Sequence, residues 1–152
     1  MSKLLEPVTI RGVTMRNRAV LSPMCQYSAR HGVANDWHFA HLARFAMGGF
    51  GTVIVEATGV VPEGRITYGC LGLWDDAQVG PLARIASFLA AEGAVPGIQL
   101  GHAGRKASTA LWYRGAFDET PEERMAGAFE EWEPLAPSAL MHAAEPGPSG
   151  FK

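Results

Sequence analysis

Apolar residues in this chain fall into three compact runs, separated by stretches whose apolar positions recur at helical spacing. The first run, RAVLS (18–22), is short and stops at Ser22-Pro23. The second, GTVIVEA (51–57), is β-branched and nearly all apolar, the mark of a strand buried on both faces. The third, AVPGIQL (94–100), reads the same way. Between the first two lies a helix over 36–47, with Asn35 or Asp36 as cap and Gly48-Gly49 as stop. A second helix is predicted over 80–92, with Pro81 in its first turn and Gly93 ending it. Ahead of these, VTIRGVTMRNR (8–18) reads as a hairpin turning at Arg11-Gly12. Strands alternating with helices predict an α/β fold with a parallel sheet built from about three βα units.

Two longer stretches carry no clear period. Residues 59–76 form a Gly-rich connection, and long connections inside compact domains usually carry function. Residues 107–132 follow the third strand and contain Trp112, Tyr113, Phe117 and a helix-start pattern at 120–124. We expect them to form a loop insertion at the active-site face.

Composition narrows the class. The 152 residues carry a formal net charge of −2 and are 47% hydrophobic. That gives no reason to expect nucleic acid or an anionic membrane as partner. No apolar run reaches the length of a membrane span, and the N-terminus lacks a signal-peptide stretch. The two cysteines, Cys25 and Cys70, form no CxxC pair, so a cytoplasmic protein without a disulfide or metal site is expected. His38 and His41 share a helix stripe with Arg44, which reads as a solvated face and not as a metal site. GGFGTV (48–53) precedes a strand, so it is no dinucleotide fingerprint, and GHAGRK lacks P-loop spacing.

In parallel α/β folds, chemistry gathers at the C-terminal strand ends. Here those ends deliver Ser22, Pro23, Met24 and Cys25, then Glu56, Ala57 and Thr58, then Gln99, His102 and Arg105. This set has no triad and no carboxylate pair. It suits a flat heterocycle with alternating donors and acceptors, because a glutamine amide offers both kinds of group. His102 and Arg105 read equally as phosphate or substrate ligands and as a structural pairing.

Four stretches, LSPMCQYSA, IVEATGVVPEGRIT, IQLGHAGRKAS and WEPLAPSAL, resemble the Old Yellow Enzyme family of FMN-dependent ene-reductases. The likeness is greatest to its bacterial xenobiotic-reductase-like branch, which has a cysteine near the flavin. It runs from residue 4 to about 140, with 107–132 as an enlarged insertion. The resemblance implies the N-terminal part of a (β/α)8 TIM barrel. It implies hydride transfer from NADPH or NADH through FMN to an activated alkene. Ser22, Pro23, Met24, Cys25, Ala57 and Gln99 would then contact FMN, with Cys25 tuning its redox behaviour. Tyr27 and Ile66 would line the substrate side. Taken alone, Cys25 reads as a buried structural thiol and Tyr27 as a core-edge tyrosine.

The same resemblance implies missing parts. A (β/α)8 barrel takes roughly 250 residues, and its phosphate site follows strands seven and eight. The phosphate grip, the carbonyl-binding histidine or His/Asn pair and the tyrosine proton donor would all lie beyond this sequence. We therefore expect a complementary C-terminal part, in a homo-oligomer when complete. Two alternatives stay open: another FMN barrel reductase, of dihydroorotate or dienoyl type, and an inactive fragment that acts only by association.

Overall fold

The computed structural model describes residues 2–109, 132–138 and 140. The chain opens with a hairpin of β1 (Val8–Ile10) and β2 (Val13–Met15), paired antiparallel. Arg11 and Gly12 both have positive φ, 46° and 84°, as a two-residue turn matching strand twist requires. Arg16 then fastens the hairpin to the domain, donating to the carbonyls of Ala46, Phe50 and Glu92 at 2.7–3.1 Å.

Four parallel strands follow, β3 (Val20–Leu21), β4 (Thr52–Gly59), β5 (Leu71–Gly72) and β6 (Val95–Gly101). The axis is β4, buried along nearly its whole length as its apolar sequence predicts. Strand β6 pairs with β4 from Thr52↔Val95 to Gly59↔Gly101. The opposite edge of β4 is shared: β3 takes Thr52 and Val53, and β5 takes Thr58 and Gly59. The segment after Leu21 therefore passes beside the C-terminal half of β4.

Helices α1 (Asp36–Met47) and α2 (Asp76–Ala91) pack on one another, α1 also on β4 and α2 on β6. Leu42 and Ala46 of α1, Ile85 and Leu89 of α2, and Val53 and Val55 of β4 share one core. Among the described residues no helix is long and apolar enough to cross a membrane.

The structure corrects several expectations. The first strand is two residues long, not the whole of 18–22. The connection 59–76 contains a 3-10 turn at Pro62–Gly64 and the strand β5, too short to leave a pattern. Helix α2 starts at Asp76, not Gly80. Asp75 and Gln78 form a reciprocal capping box there, and it outweighs the preference of Pro81 for a first turn. Pro81 instead sits inside the helix.

Two corrections concern burial. His38 does not lie on a solvated face; it is fully buried. It stands one turn before Leu42 and two before Ala46, so it belongs to the core stripe of α1. Its Nδ1 accepts the Asn35 N–H at 3.2 Å and closes the N-terminal cap. Strand β6 reads as buried, yet Ile98 and Leu100 are 38% and 54% exposed. Among the described residues β6 has β4 as its one strand partner, so its other edge lies open.

Candidate functional site

The segment after β3 has no regular structure, and it is held by side chains reaching in from its surroundings. Asn35, the α1 cap, donates to the Ser28 carbonyl at 2.7 Å, and Trp37 Nε1 donates to Gln26 Oε1 at 3.2 Å. Gln26 Nε2 folds back onto the Met24 carbonyl at 2.9 Å. From the β5 side, the Ala29 N–H bonds the Gly69 carbonyl at 2.9 Å. Gly69 is required there: a Cβ would come within 2.5 Å of the Tyr27 carbonyl oxygen. Tyr27 itself has φ of 51°, strained for a bulky residue.

Beneath this segment lies Glu56, only 4% exposed. Its Oε2 accepts the Gln26 N–H at 3.1 Å, and the Tyr27 N–H bonds the same carboxylate. Burial outweighs these two donors and pushes the Glu56 carboxyl up to about 7.

The segment sets Cys25 beside the end of β4. Its sulfur interacts with the backbone N–H of Ala57 and with the Tyr27 hydroxyl. Burial, with Cys70 and Glu56 nearby, raises the thiol pKa, so the group stays a neutral S–H at neutral pH. Tyr27 is pushed up to about 12, again first by burial, so its phenol stays protonated. On the other side Ala57 is the ladder partner of Gln99. Paired residues project from one face of a sheet. Cys25, Ala57 and Gln99 therefore form one row across the C-terminal end of the sheet.

The row is half-open. Cys25 and Ala57 are half-buried, and Gln99 is exposed. Among the described residues nothing bonds the Gln99 amide or the Met24 N–H. Ser22 and Met24 are exposed and Pro23 is half-buried at the start of the segment. A neutral thiol, a free amide and a free N–H along one edge can hold the polar rim of a flat ring.

The remaining candidates lie around this row. Ile66 is half-buried, and its carbonyl accepts the Thr109 N–H at 2.9 Å. Arg105 takes the structural role, donating to the Leu140 carbonyl at 2.6 Å and to Ser138. It thereby ties WEPLAPSAL to the end of β6. His102 Nδ1 accepts the Gly104 N–H at 3.0 Å, a local turn contact. The helix start at 120–124 lies outside the described residues, as does most of 107–132. The two ends of that stretch meet: the Trp132 N–H donates to Ser108 Oγ at 2.9 Å.

Sequence reasoning missed two residues. Cys70, fully buried, accepts the Thr67 N–H at 3.4 Å and shapes the approach to β5. Arg65 is buried with its guanidinium over the rings of Trp74 and Trp132, at 5.3 and 4.7 Å. An arginine flanked by tryptophans far apart in sequence leaves no local pattern.

Comparison with known proteins bears on this geometry. Residues 3–134 match the model of the NADH:flavin oxidoreductase / NADH oxidase family. An NADH:flavin oxidoreductase of Gibberella zeae is 52% identical over 107 residues, covering 70% of this chain and 26% of that protein. An NADPH dehydrogenase of Listeria monocytogenes serotype 4a is 52% identical over 109 residues, covering 70% of this chain and 32% of that protein. The chain thus spans about a third or less of the curated relatives it matches. The old yellow enzyme from Trypanosoma cruzi superposes with a TM-score of 0.68 at 25% identity, covering 91% of this chain and 35% of that one. Morphinone reductase, at 24% identity and a TM-score of 0.70, shares the fold over 91% of this chain and 32% of its own. FMN is the family's cofactor, and its nicotinamide partner is named as NADH in the family and NADPH in the Listeria relative. The chain belongs to the NADH:flavin oxidoreductase / NADH oxidase family, with the Old Yellow Enzymes, and forms the N-terminal portion of their (β/α)8 barrel.

Proposed function

We propose that this chain supplies the pyrimidine-side wall of an FMN site in an ene-reductase that reduces activated alkenes with NADPH or NADH. The observation that carries this is the row Cys25–Ala57–Gln99 across the strand ends, with its unpartnered amide. The donor set suits an isoalloxazine. Gln99 can both donate to and accept from a pyrimidine ring, and the Met24 N–H can face the N5/O4 edge. Ala57 offers a small side chain that leaves room for a ring. Ser22 and Pro23 would complete the contact. Bound FMN supplies the chemistry, passing hydride from the nicotinamide to the alkene.

The residues of this chain hold and tune. Cys25, kept as a neutral thiol, offers a weak S–H dipole and no nucleophile. Tyr27, with its phenol protonated, can donate a hydrogen bond to the sulfur or to a substrate oxygen. Ile66 gives an apolar surface on the substrate side. Residues 107–132 leave and return beside Ile66, which suits an insertion shaping the substrate mouth. The open edge of β6, with Ile98 and Leu100 uncovered, suits a complementary C-terminal part that completes the barrel. Such parts would bring the phosphate grip and the carbonyl-binding residues. The complete enzyme would be a cytoplasmic homo-oligomer, in keeping with two free cysteines.

The test is made on the full-length protein. FMN retained after desalting, with NADPH-dependent reduction of 2-cyclohexenone, supports the reading. A flavin held with the Gln99→Ala variant unchanged in affinity and potential would remove its basis.

A further inference from the structure

Glu56 has no place in the hydride chemistry, yet three features converge on it. The β4–β6 register slips between Val55 and Ala57, so Glu56 is the extra residue of a bulge. Bulges re-aim a side chain, and this one stands one residue before Ala57. Its Oε2 holds the N–H of Gln26 at 3.1 Å and its carboxylate also bonds the Tyr27 N–H. Its Oε1 is buried with no hydrogen-bond partner among the described residues.

We propose that Glu56 is a positioning residue of the flavin site, whose buried carboxylate anchors segment 24–27 at the strand end with a firmness set by its protonation. A carboxylate accepts N–H bonds roughly twice as strongly as a neutral acid. Ionisation therefore tightens the segment that carries Met24 and Cys25, and protonation loosens it. Desolvation opposes ionisation and places the balance near neutrality, at about 7.

The groups packed around Glu56 do not override this. Segment 22–29 brings Cys25 and Tyr27, and the approach to β5 brings Cys70. All three are held neutral by raised pKa values, and each feels the Glu56 charge. Helix α1, which packs on β4, carries buried His38, whose pKa is lowered to about 4, and half-buried His41, whose pKa is lowered first by burial and then by Arg44. The turn at Pro62–Gly64 brings Glu63. Strands β3, β5 and β6 carry no titratable residue within their bounds. Of Cys25, Tyr27, Cys70, His38 and Glu56, the carboxyl of Glu56 is the one placed to change charge between pH 6 and 8.

The proposal rests on the flavin reading for its consequence, not for its geometry. The experiment follows the backbone amides of Gln26 and Tyr27 by NMR and hydrogen exchange in the full-length protein, with and without FMN. Both amides should titrate together near pH 7, with protection rising as pH rises. Glu56→Gln keeps an acceptor oxygen and should keep the segment while abolishing the titration. Glu56→Ala should lower protection of both amides at least tenfold and weaken FMN binding. Unchanged titration in Glu56→Gln, or unchanged protection in Glu56→Ala, would overturn the proposal. A wild-type protein that binds no FMN would refute the flavin reading instead, while the amide titration still tests Glu56.

Discussion

The Tyr27 hydroxyl is hydrogen-bonded to the Cys25 sulfur, and the two groups act on each other's ionisation in opposite directions. The phenol lowers the thiol pKa, but burial raises it by more. Cys25 should therefore alkylate slowly at pH 7.5 and faster only as pH climbs through the upper range. Tyr27→Phe removes a donor that favours the thiolate, so alkylation at a given pH should slow further. Rates with iodoacetamide across pH 7–10 check both statements. A faster Tyr27→Phe variant would show that the phenol shields the sulfur instead of polarising it.

The same neutral thiol limits what Cys25 can do for a flavin. Cys25→Ala should shift the FMN midpoint potential and alter both half-reactions by several-fold, while turnover stays measurable. Potentiometry with stopped-flow kinetics on the full-length protein reads this. Complete loss of turnover with FMN still bound would assign the sulfur a covalent role.

Two buried groups should give stability opposite dependences on pH. Glu56 sits at about 7 in the fold against 4.5 for the free group. Its contribution is full below pH 4.5 and is lost as pH rises through 7, by at most about 3 kcal/mol. His38 sits at about 4 against 6.5, so its contribution is present above 6.5 and is lost as pH falls through 4. Between pH 4.5 and 6.5 the two should nearly cancel. Urea unfolding from pH 4 to 8 should then show Glu56→Gln rising up to 6.5 and flat above it. A Glu56→Gln profile that still falls between pH 6.5 and 8 would mean that another group titrates there.

The bounds of helix α1 were legible because its cap, period and stop agree: Asn35, then Leu42 and Ala46, then Gly48. Strand β4 was legible because a strand buried on both faces reads as a nearly continuous apolar run. Where two signals compete, the sequence misleads. Pro81 argues for a start at Gly80, but the capping box of Asp75 and Gln78 sets it at Asp76. His38 looks polar but is buried: its Nδ1 serves the Asn35 cap one turn away, while its Nε2 has no hydrogen-bond partner among the described residues. Burial of β6 depends on what pairs with its far edge, which its own residues cannot report. The row Cys25–Ala57–Gln99 could be guessed from strand ends. The bulge at Glu56 could not, since a one-residue slip in register leaves no trace in an apolar run.

The clasp at the base of the 107–132 stretch yields a separate prediction. Trp132 bonds Ser108 Oγ, donates from Nε1 to the Glu63 carbonyl at 2.9 Å and stacks on Arg65. Replacing residues 110–131 by a short linker that keeps Ser108 and Trp132 should change substrate preference more than FMN affinity. Arg65→Ala should loosen the clasp at a cost of about 1–2 kcal/mol. Comparing KM across enones of increasing size with the FMN dissociation constant separates the two effects. Equal losses in both would make the stretch part of the scaffold.

The open edge of β6 sets what the 152 residues can do alone. A strand whose far edge is unpaired offers a row of N–H and C=O groups to any neighbouring chain. Ile98 and Leu100 lie uncovered on that strand, and on the opposite side of β4 Val20 of β3 and Met24 of the segment after it are exposed too. Barrel closure is what removes such edges. The row that would meet the ring is present, whereas the phosphate site of a (β/α)8 barrel follows strands seven and eight. Expressed alone, residues 1–152 should self-associate, lose FMN on desalting and show no enone reduction. Co-expression with the remaining two-thirds of a relative such as the Listeria dehydrogenase should restore solubility and yellow colour together. Light scattering, flavin absorbance after desalting and NADPH consumption with 2-cyclohexenone measure the three. A monodisperse, yellow, active preparation of the 152 residues would mean that the open edge needs no partner.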